Sequence, residues 1–262
     1  MNKMVGQQGR SLPIVGVIAM TLAVVPRAEA IVWADPDAKP PTEQVGPMKH
    51  TGRVLYSRLG ICGGSCIWIG ERWVLTSRHG TEPWSAKTLR VDFPAHGKTR
   101  YQVRAIHLPE NRGVDLALLE LDYSLSFSDP PRLDSQKLLA GASIRLGGFG
   151  KHGPAGNAGG ASRFHWGTNV LDSCDEQTAR FSLGQATVET PREALPALFD
   201  SGSPIFSVKR NGVGGERRLL AGISVRVSHG SNPKVGDHAI MTSLSSQAAW
   251  IRQIAPSVSW EE

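Results

Sequence analysis

Short apolar runs recur along the chain, and turn residues separate them. In order they are "RVLYSRL", "CIWI", "RWVLTS", "TLRVDF", "YQVRAIHL", "DLALLEL", "SIRLGGF", "RFHWGTNVLD", "ARFSLG", "SPIFSV", "LLAGISVRV" and "HAIMTSL". They are rich in β-branched and aromatic side chains, and "IGER", "PAHGK", "NRG", "KHGPAGNAGG" and "NGVGG" lie between them. Many short strands at such spacing predict an antiparallel barrel or sandwich. "KRNGVGGERR" (Lys209 to Arg218) reads as a long solvated hairpin turn. The spacing predicts one helix, "SSQAAWIRQIA" (Ser245 to Ala255), with a serine N-cap and Ala248, Ile251 and Ala255 on one face.

The first 30 residues break this pattern. Lys3 and Arg10 precede an apolar run from Leu12 to Val25, and small residues occupy Ala28 to Ala30. This is the composition of a secretory signal peptide, and it predicts a secreted or periplasmic chain starting at Ile31. A retained signal anchor is the alternative. No other run is long enough to span a bilayer, so no membrane anchor is expected in the remainder. That remainder opens with a proline-rich extended arm, Ala34 to Pro47, and suits one large all-β unit or two small domains. "KHGPAGNAGGASR" (Lys151 to Arg163) reads as a surface loop.

The formal net charge is +6, and about +4 once Lys3, Arg10, Arg27 and Glu29 are removed. The excess is mild and scattered, which argues against a nucleic-acid partner. Cys62, Cys66 and Cys174 make an odd count, so at least one thiol has no partner within the chain. Cys62 and Cys66 lie about 13 Å apart along an extended strand, so only a bend at Gly63-Gly64 would bridge them. A disulfide from either one to Cys174 fits better. No histidine–cysteine set calls for a metal, and no cofactor is expected.

The candidate chemistry lies in three places. His79 follows the run "RWVLTS", Asp115 opens "DLALLEL" 36 residues later, and Ser201 sits in "DSGSP". Singly these are a surface histidine, a strand cap and a turn serine. Together they supply a weak nucleophile, a base to take its proton, and a carboxylate to orient the base.

These segments resemble the chymotrypsin/trypsin-like serine proteases. "WVLTSRH" is similar to that family's "WVLTAAHC", "DLALLEL" to "DIALLKL", and "DSGSP" to "GDSGGP". "LLAGISV" and "AIMTSLSSQAAWI" resemble its substrate-flanking strand and its closing strand and helix. The resemblance spans Gly52 to Ile254 and is nearest to secreted bacterial members, of which "WGTNVLD" is also reminiscent. It implies two antiparallel six-stranded Greek-key barrels with a C-terminal helix. The arm and first barrel would occupy 31–135, and the second barrel and helix 136–262. It implies a secreted, monomeric serine endopeptidase with His79, Asp115 and Ser201 as triad and a protein or peptide as substrate. The N–H groups of Phe199 and Ser201 would form the oxyanion hole. Leu195, Pro196, Ser224, Val225, Arg226 and Ala239 would line the substrate-binding pocket, which has no aspartate and so suits a small or apolar side chain. Ser224 resembles the serine that hydrogen-bonds the triad aspartate. Ile31, freed by signal cleavage, would pair its ammonium with Asp200. Alternatively, Ile31 and Val32 merely pack on the barrel.

Three departures bear on these expectations. Gly80 stands where the family has a cysteine bridged to the one matching Cys62. Phe199 replaces a glycine whose backbone conformation is awkward for a residue with a Cβ, and loss of one oxyanion donor costs roughly 10²–10³ in rate. Trp33-Ala34 replaces Gly-Gly behind the new terminus. A catalytically impaired homologue that binds protein through the same cleft, and a hydrolase of small esters, are the competing readings.

Overall fold

The computed structural model describes residues 31–35, 37, 41–56, 60–154, 163–185, 187, 192–211, 215–228 and 233–262. The expected signal peptide, most of the loop expected at 151–163 and the tip of the 209–218 hairpin lie outside the described residues. The first strand is β1 (Val32–Trp33), and a 3-10 turn, Gly46–His50, ends the arm. Six strands follow: β2 (Thr51–Tyr56), β3 (Ile61–Gly70), β4 (Trp73–Thr76), β5 (Leu89–Asp92), β6 (Arg100–His107) and β7 (Ala117–Leu121). They close into an antiparallel barrel in the order β2-β3-β4-β7-β6-β5.

The remaining strands are β8 (Leu133–Asp134), β9 (Ser143–Gly148), β10 (Gly153–Pro154), β11 (His165–Val170), β12 (Ser173–Cys174), β13 (Thr178–Ser182), β14 (Ala194–Leu195), β15 (Pro204–Asn211), β16 (Gly215–Val227), β17 (His238–Ser243) and β18 (Trp260–Glu261). Seven of them form a curled antiparallel path, β11-β9-β15-β16-β17-β13-β12; off this path β8 pairs with β16, and β18 pairs with β8. The chain is thus mostly β, with a closed barrel, a second curled half-barrel sheet and one C-terminal helix, consistent with a two-barrel trypsin-like fold.

The second barrel departs from the expected closed form. Between β11 and β13 the ladder is replaced by one buried side chain: Asn169 Nδ2 donates to Ser182 O and Ala194 O, each at 2.9 Å. The edge that would close the barrel is instead a small separate sheet, β10-β1-β14.

Side-chain alternation explains why several runs looked apolar throughout. In β3, Cys66 and Trp68 face the barrel interior while Ile67 and Ile69 face a second core shared with the half-barrel. Val74 and Leu75 divide likewise, as do Leu119 and Leu118. Both faces are buried, so the period of two is hidden in the sequence. Phe206, Leu220 and Ile223 enter the shared core from the other side, and Ile144, Leu146 and Ile205 fill the half-barrel.

The helix α1 (Ala248–Ile254) is shorter than expected, because a 3-10 turn, Ser245–Gln247, precedes it. Ser245 does not cap it; its hydroxyl lies 3.0 Å from Ser243 Oγ instead. Ile251 and Ala255 are fully buried, as the spacing requires. All three cysteines are free thiols, which overturns the disulfide to Cys174. Cys66 lies inside the first barrel, and Cys174 packs against the half-barrel core. β3 runs extended through Gly63-Gly64, so Cys62 and Cys66 do not meet either. Among the described residues no helix is long and apolar enough to cross a membrane.

Candidate active site

The register of two strands brings the first pair together. Thr76 of β4 lies opposite Ala117 of β7. Three residues past the one and two before the other, His79 and Asp115 therefore emerge at the same barrel rim. His79 Nδ1 lies 2.7 Å from Asp115 Oδ2, and the His79 backbone N–H donates to Oδ1 at 3.0 Å. This places the ring proton on Nδ1 and leaves Nε2 as an acceptor. Burial pushes the Asp115 carboxyl up, but hydrogen bonds from His79 and the Arg78 backbone outweigh it, and the net shift is downward. Asp115 stays ionised at neutral pH.

Ser201 reaches this pair from the other unit. Its carbonyl accepts from Ser65 N at 2.9 Å, which pins the turn before β15 onto β3. Gly202 makes that approach possible: at φ 86° a Cβ there would fall 2.2 Å from both Ser65 O and Thr76 Oγ1. Ser201 Oγ then lies 2.8 Å from His79 Nε2. The three sequence-predicted residues form one continuous hydrogen-bonded chain, Asp115–His79–Ser201.

Phe199 adopts φ 72°, the left-handed region that favours glycine. A side chain there costs about 1–2 kcal/mol. The strain preserves a particular peptide orientation. Leu198 O accepts from Lys151 N at 2.8 Å, so the planar 198–199 peptide aims the Phe199 N–H away from Lys151. Among the described residues neither the Phe199 nor the Ser201 N–H has an intramolecular acceptor. Two unpaired donors thus lie at the Ser201 turn, in a conformation held despite the side chain.

Behind this turn, Asp200 is fully buried and accepts three backbone N–H bonds: Ile31 and Ala197 on Oδ2, each at 2.9 Å, and Gly150 on Oδ1 at 2.8 Å. Burial pushes its pKa up to about 6 in spite of those donors. Ile31 is itself fully buried at φ 63°, an outlier for a β-branched residue. Trp33 is accommodated without the flexible Gly-Gly: it pairs with β10 and β14 and packs on the rings of His152 and His165, 6.0 and 6.1 Å away. Burial lowers both of those histidines to about 4, so they stay neutral above pH 5.

The pocket residues are spread more widely. Leu195 and Ala239 are fully buried in the half-barrel core. Pro196 is buried, Val225 is half-buried at a bulge between Ser224 and Arg226, and Arg226 is exposed. Ser224 serves the site through its backbone: its O accepts from Gly202 N and its N donates to Ser203 O. No hydrogen bond joins it to Asp115 among the described residues, and Thr242 Oγ1 meets the Asp115 carbonyl instead, at 3.2 Å. That corrects the role expected of Ser224; the bulge just after it shifts the register.

Arg78 escaped the sequence reading. A cation after a strand looks solvated, yet this one is buried, and its guanidinium donates to the carbonyls of Pro109, Asn111 and Val114. It ties the residue before His79 to the loop that delivers Asp115. No group of three or more metal-ligating side chains occurs among the described residues. No protein-family model matches the chain, and no curated protein matches it either.

Proposed function

We propose that this chain is a secreted serine endopeptidase of the chymotrypsin/trypsin-like kind, acting through an acyl-enzyme. The observation that carries the reading is the pair of contacts on His79, 2.7 Å to Asp115 and 2.8 Å to Ser201. His79 Nε2 takes the hydroxyl proton as Ser201 Oγ bonds to the substrate carbonyl carbon. Asp115 stabilises the imidazolium that forms, and the N–H groups of Phe199 and Ser201 receive the oxyanion. The imidazolium passes its proton to the leaving amine as the peptide C–N bond breaks. Water then repeats the sequence, His79 taking its proton, and frees the acid and the serine. The mechanism is the general one for this triad.

Processing belongs to the same reading. Cleavage after Ala30 turns the Ile31 N–H that already sits on Asp200 into an ammonium. It also removes the preceding carbonyl that makes φ 63° costly. Signal cleavage is then the activating step. The substrate is a protein or peptide with a small or apolar residue before the scissile bond, and the enzyme works as a monomer.

The strained Phe199 favours one competing reading, an impaired homologue that holds protein without cutting it. Incubation with denatured casein separates the cases. Internal cleavage by the wild type and none by Ser201→Ala supports the endopeptidase. Casein bound intact supports the homologue, and turnover of p-nitrophenyl esters alone supports a small-ester hydrolase.

A further inference from the structure

The side chain of His79 is 49% exposed, so packing does not fix its ring. The ring is held by its hydrogen bonds to Asp115 and Ser201, and where it can make them depends on the backbone on either side. On the far side the next residue is Gly80, whose carbonyl accepts from Tyr56 Oη at 2.7 Å. The same hydroxyl lies 3.3 Å from Gly63 O on β3. The Tyr56 ring stacks on Trp84 of the loop that follows His79, with centroids 4.5 Å apart and an interplanar angle of 18°. It also lies across Gly63, where a Cβ would fall 1.8 Å from Tyr56 Cε2. Tyr56 therefore touches strand and loop together, at Gly63, Gly80 and Trp84.

The loop itself is stiff close to the histidine. Thr81 N and Glu82 N both donate to Arg78 O at 2.8 Å, and Thr81 Oγ1 caps the same turn. A displaced Gly80 carbonyl thus carries His79 with it. Cys62, next to Gly63, is a free thiol directed at Gly64 O, so no covalent link ties β3 to this loop.

We propose that Tyr56 is a positioning residue for His79: its hydroxyl donates to the Gly80 carbonyl, ties it to the end of β2 and so holds the imidazole between Asp115 and Ser201. The inference rests on the proposed serine-hydrolase reading and assigns Tyr56 no contact with substrate. Burial pushes the Tyr56 phenol up, so it stays a protonated donor through the working pH range. A small shift of a catalytic base is costly in rate, which is why one hydroxyl remote from substrate matters.

The test is Tyr56→Phe in the complete chain, which keeps the ring on Trp84 and Gly63 and removes only the hydroxyl. Two readouts are taken: the second-order rate of Ser201 modification by a fluorophosphonate, and solvent exchange of the His79 Nδ1–H proton by NMR. A core variant of the half-barrel, Ile144→Val, controls for general loss of stability. Modification is expected to slow by about three- to tenfold in Tyr56→Phe, the range of one lost hydrogen bond. Nδ1–H exchange should accelerate, and Ile144→Val should match the wild type in both. Unchanged rate and exchange in Tyr56→Phe would overturn the proposal. If Tyr56→Phe does not fold, Trp84→Leu retains the hydroxyl but loosens the ring and should shift both readouts the same way; no shift there overturns it equally. If the wild type is not modified at Ser201, the hydrolase reading fails, and Nδ1–H exchange alone still decides whether Tyr56 holds His79.

Discussion

The two halves of the candidate site are held in different ways. His79 and Asp115 stand on a closed barrel whose β4–β7 register brings them together, and the other unit adds one hydrogen bond, from Thr242 to the Asp115 carbonyl. Side-chain hydrogen bonds from Arg78 and Tyr56 then fix the loops on either side. Ser201, Phe199 and Asp200 stand on a turn ahead of an open sheet. That turn depends on a strained φ at Phe199, on a buried carboxylate, and on a segment, Ile31–Trp33, brought in from the far end of the chain. The first half rests mainly on its own barrel. The second leans on residue 31, whose backbone N–H donates to Asp200, and under the proposed reading its state is the condition.

Breaking the first half should have the largest effect. Asp115→Asn leaves the fold intact but removes the carboxylate that selects the Nδ1–H tautomer, and kcat should fall by about 10⁴. Steady-state kinetics on a peptide substrate checks this. A loss below tenfold would mean that His79 is oriented by something else.

The conditional half is tested by its terminus. A chain carrying one extra residue before Ile31 retains the strained φ and offers Asp200 an amide in place of an ammonium. It should be less stable than the native terminus by about 3–5 kcal/mol at pH 8. The sign with pH follows from Asp200. Its folded pKa of about 6 lies above the ordinary aspartate value of 3.8, so folding of the extended chain favours the neutral acid. That contribution is fully present below about pH 4 and is lost as pH rises through 6, roughly 3 kcal/mol in all. In the native-terminus chain the ammonium offsets it. Denaturant titrations of both chains should therefore diverge between pH 4 and pH 7; parallel curves would show that the terminus is not bound to Asp200.

Arg78→Met addresses the anchoring of the first half. It leaves the carbonyls of Pro109, Asn111 and Val114 without their donor. A loss of about 2–4 kcal/mol is expected, because unsatisfied buried acceptors cost more than the bond itself contributed. Urea unfolding measures it, and a change under 1 kcal/mol would mean that water replaces the guanidinium.

Phe199→Gly should have the smallest effect. Relief of about 1–2 kcal/mol of strain is partly cancelled by the entropy of a more flexible unfolded chain, about 0.4–1 kcal/mol. Because both N–H donors are already unpaired, the rate should stay within about threefold of the wild type. A rise of a hundredfold would show that the side chain blocks the hole.

How far the sequence could be read follows the same division. Every strand that began as an apolar run was legible, and so were His79, Asp115 and Ser201, because family-like motifs mark strand ends. β1, β8, β10, β12, β14 and β18 are two residues long, too short to carry a period, and they include the pieces that dock residue 31. Phe199 was visible as an anomaly, but its φ is decided by tertiary contacts of Leu198 and Ser65 that no local pattern encodes. Nothing in the sequence singles out Arg78 or Tyr56; their partners are backbone carbonyls, which leave no trace in side-chain identity. The disulfide expectation failed because cysteine counting carries no information on which core each thiol enters.

The most direct measurement is mass spectrometry of the native-terminus protein after treatment with a fluorophosphonate, with the adduct mapped to a residue. A single adduct on Ser201, absent from Ser201→Ala and strongly slowed in Asp115→Asn, is the expected result. An unmodified protein, or an adduct on another serine that survives Ser201→Ala, would contradict the assignment of Asp115, His79 and Ser201 as a working triad.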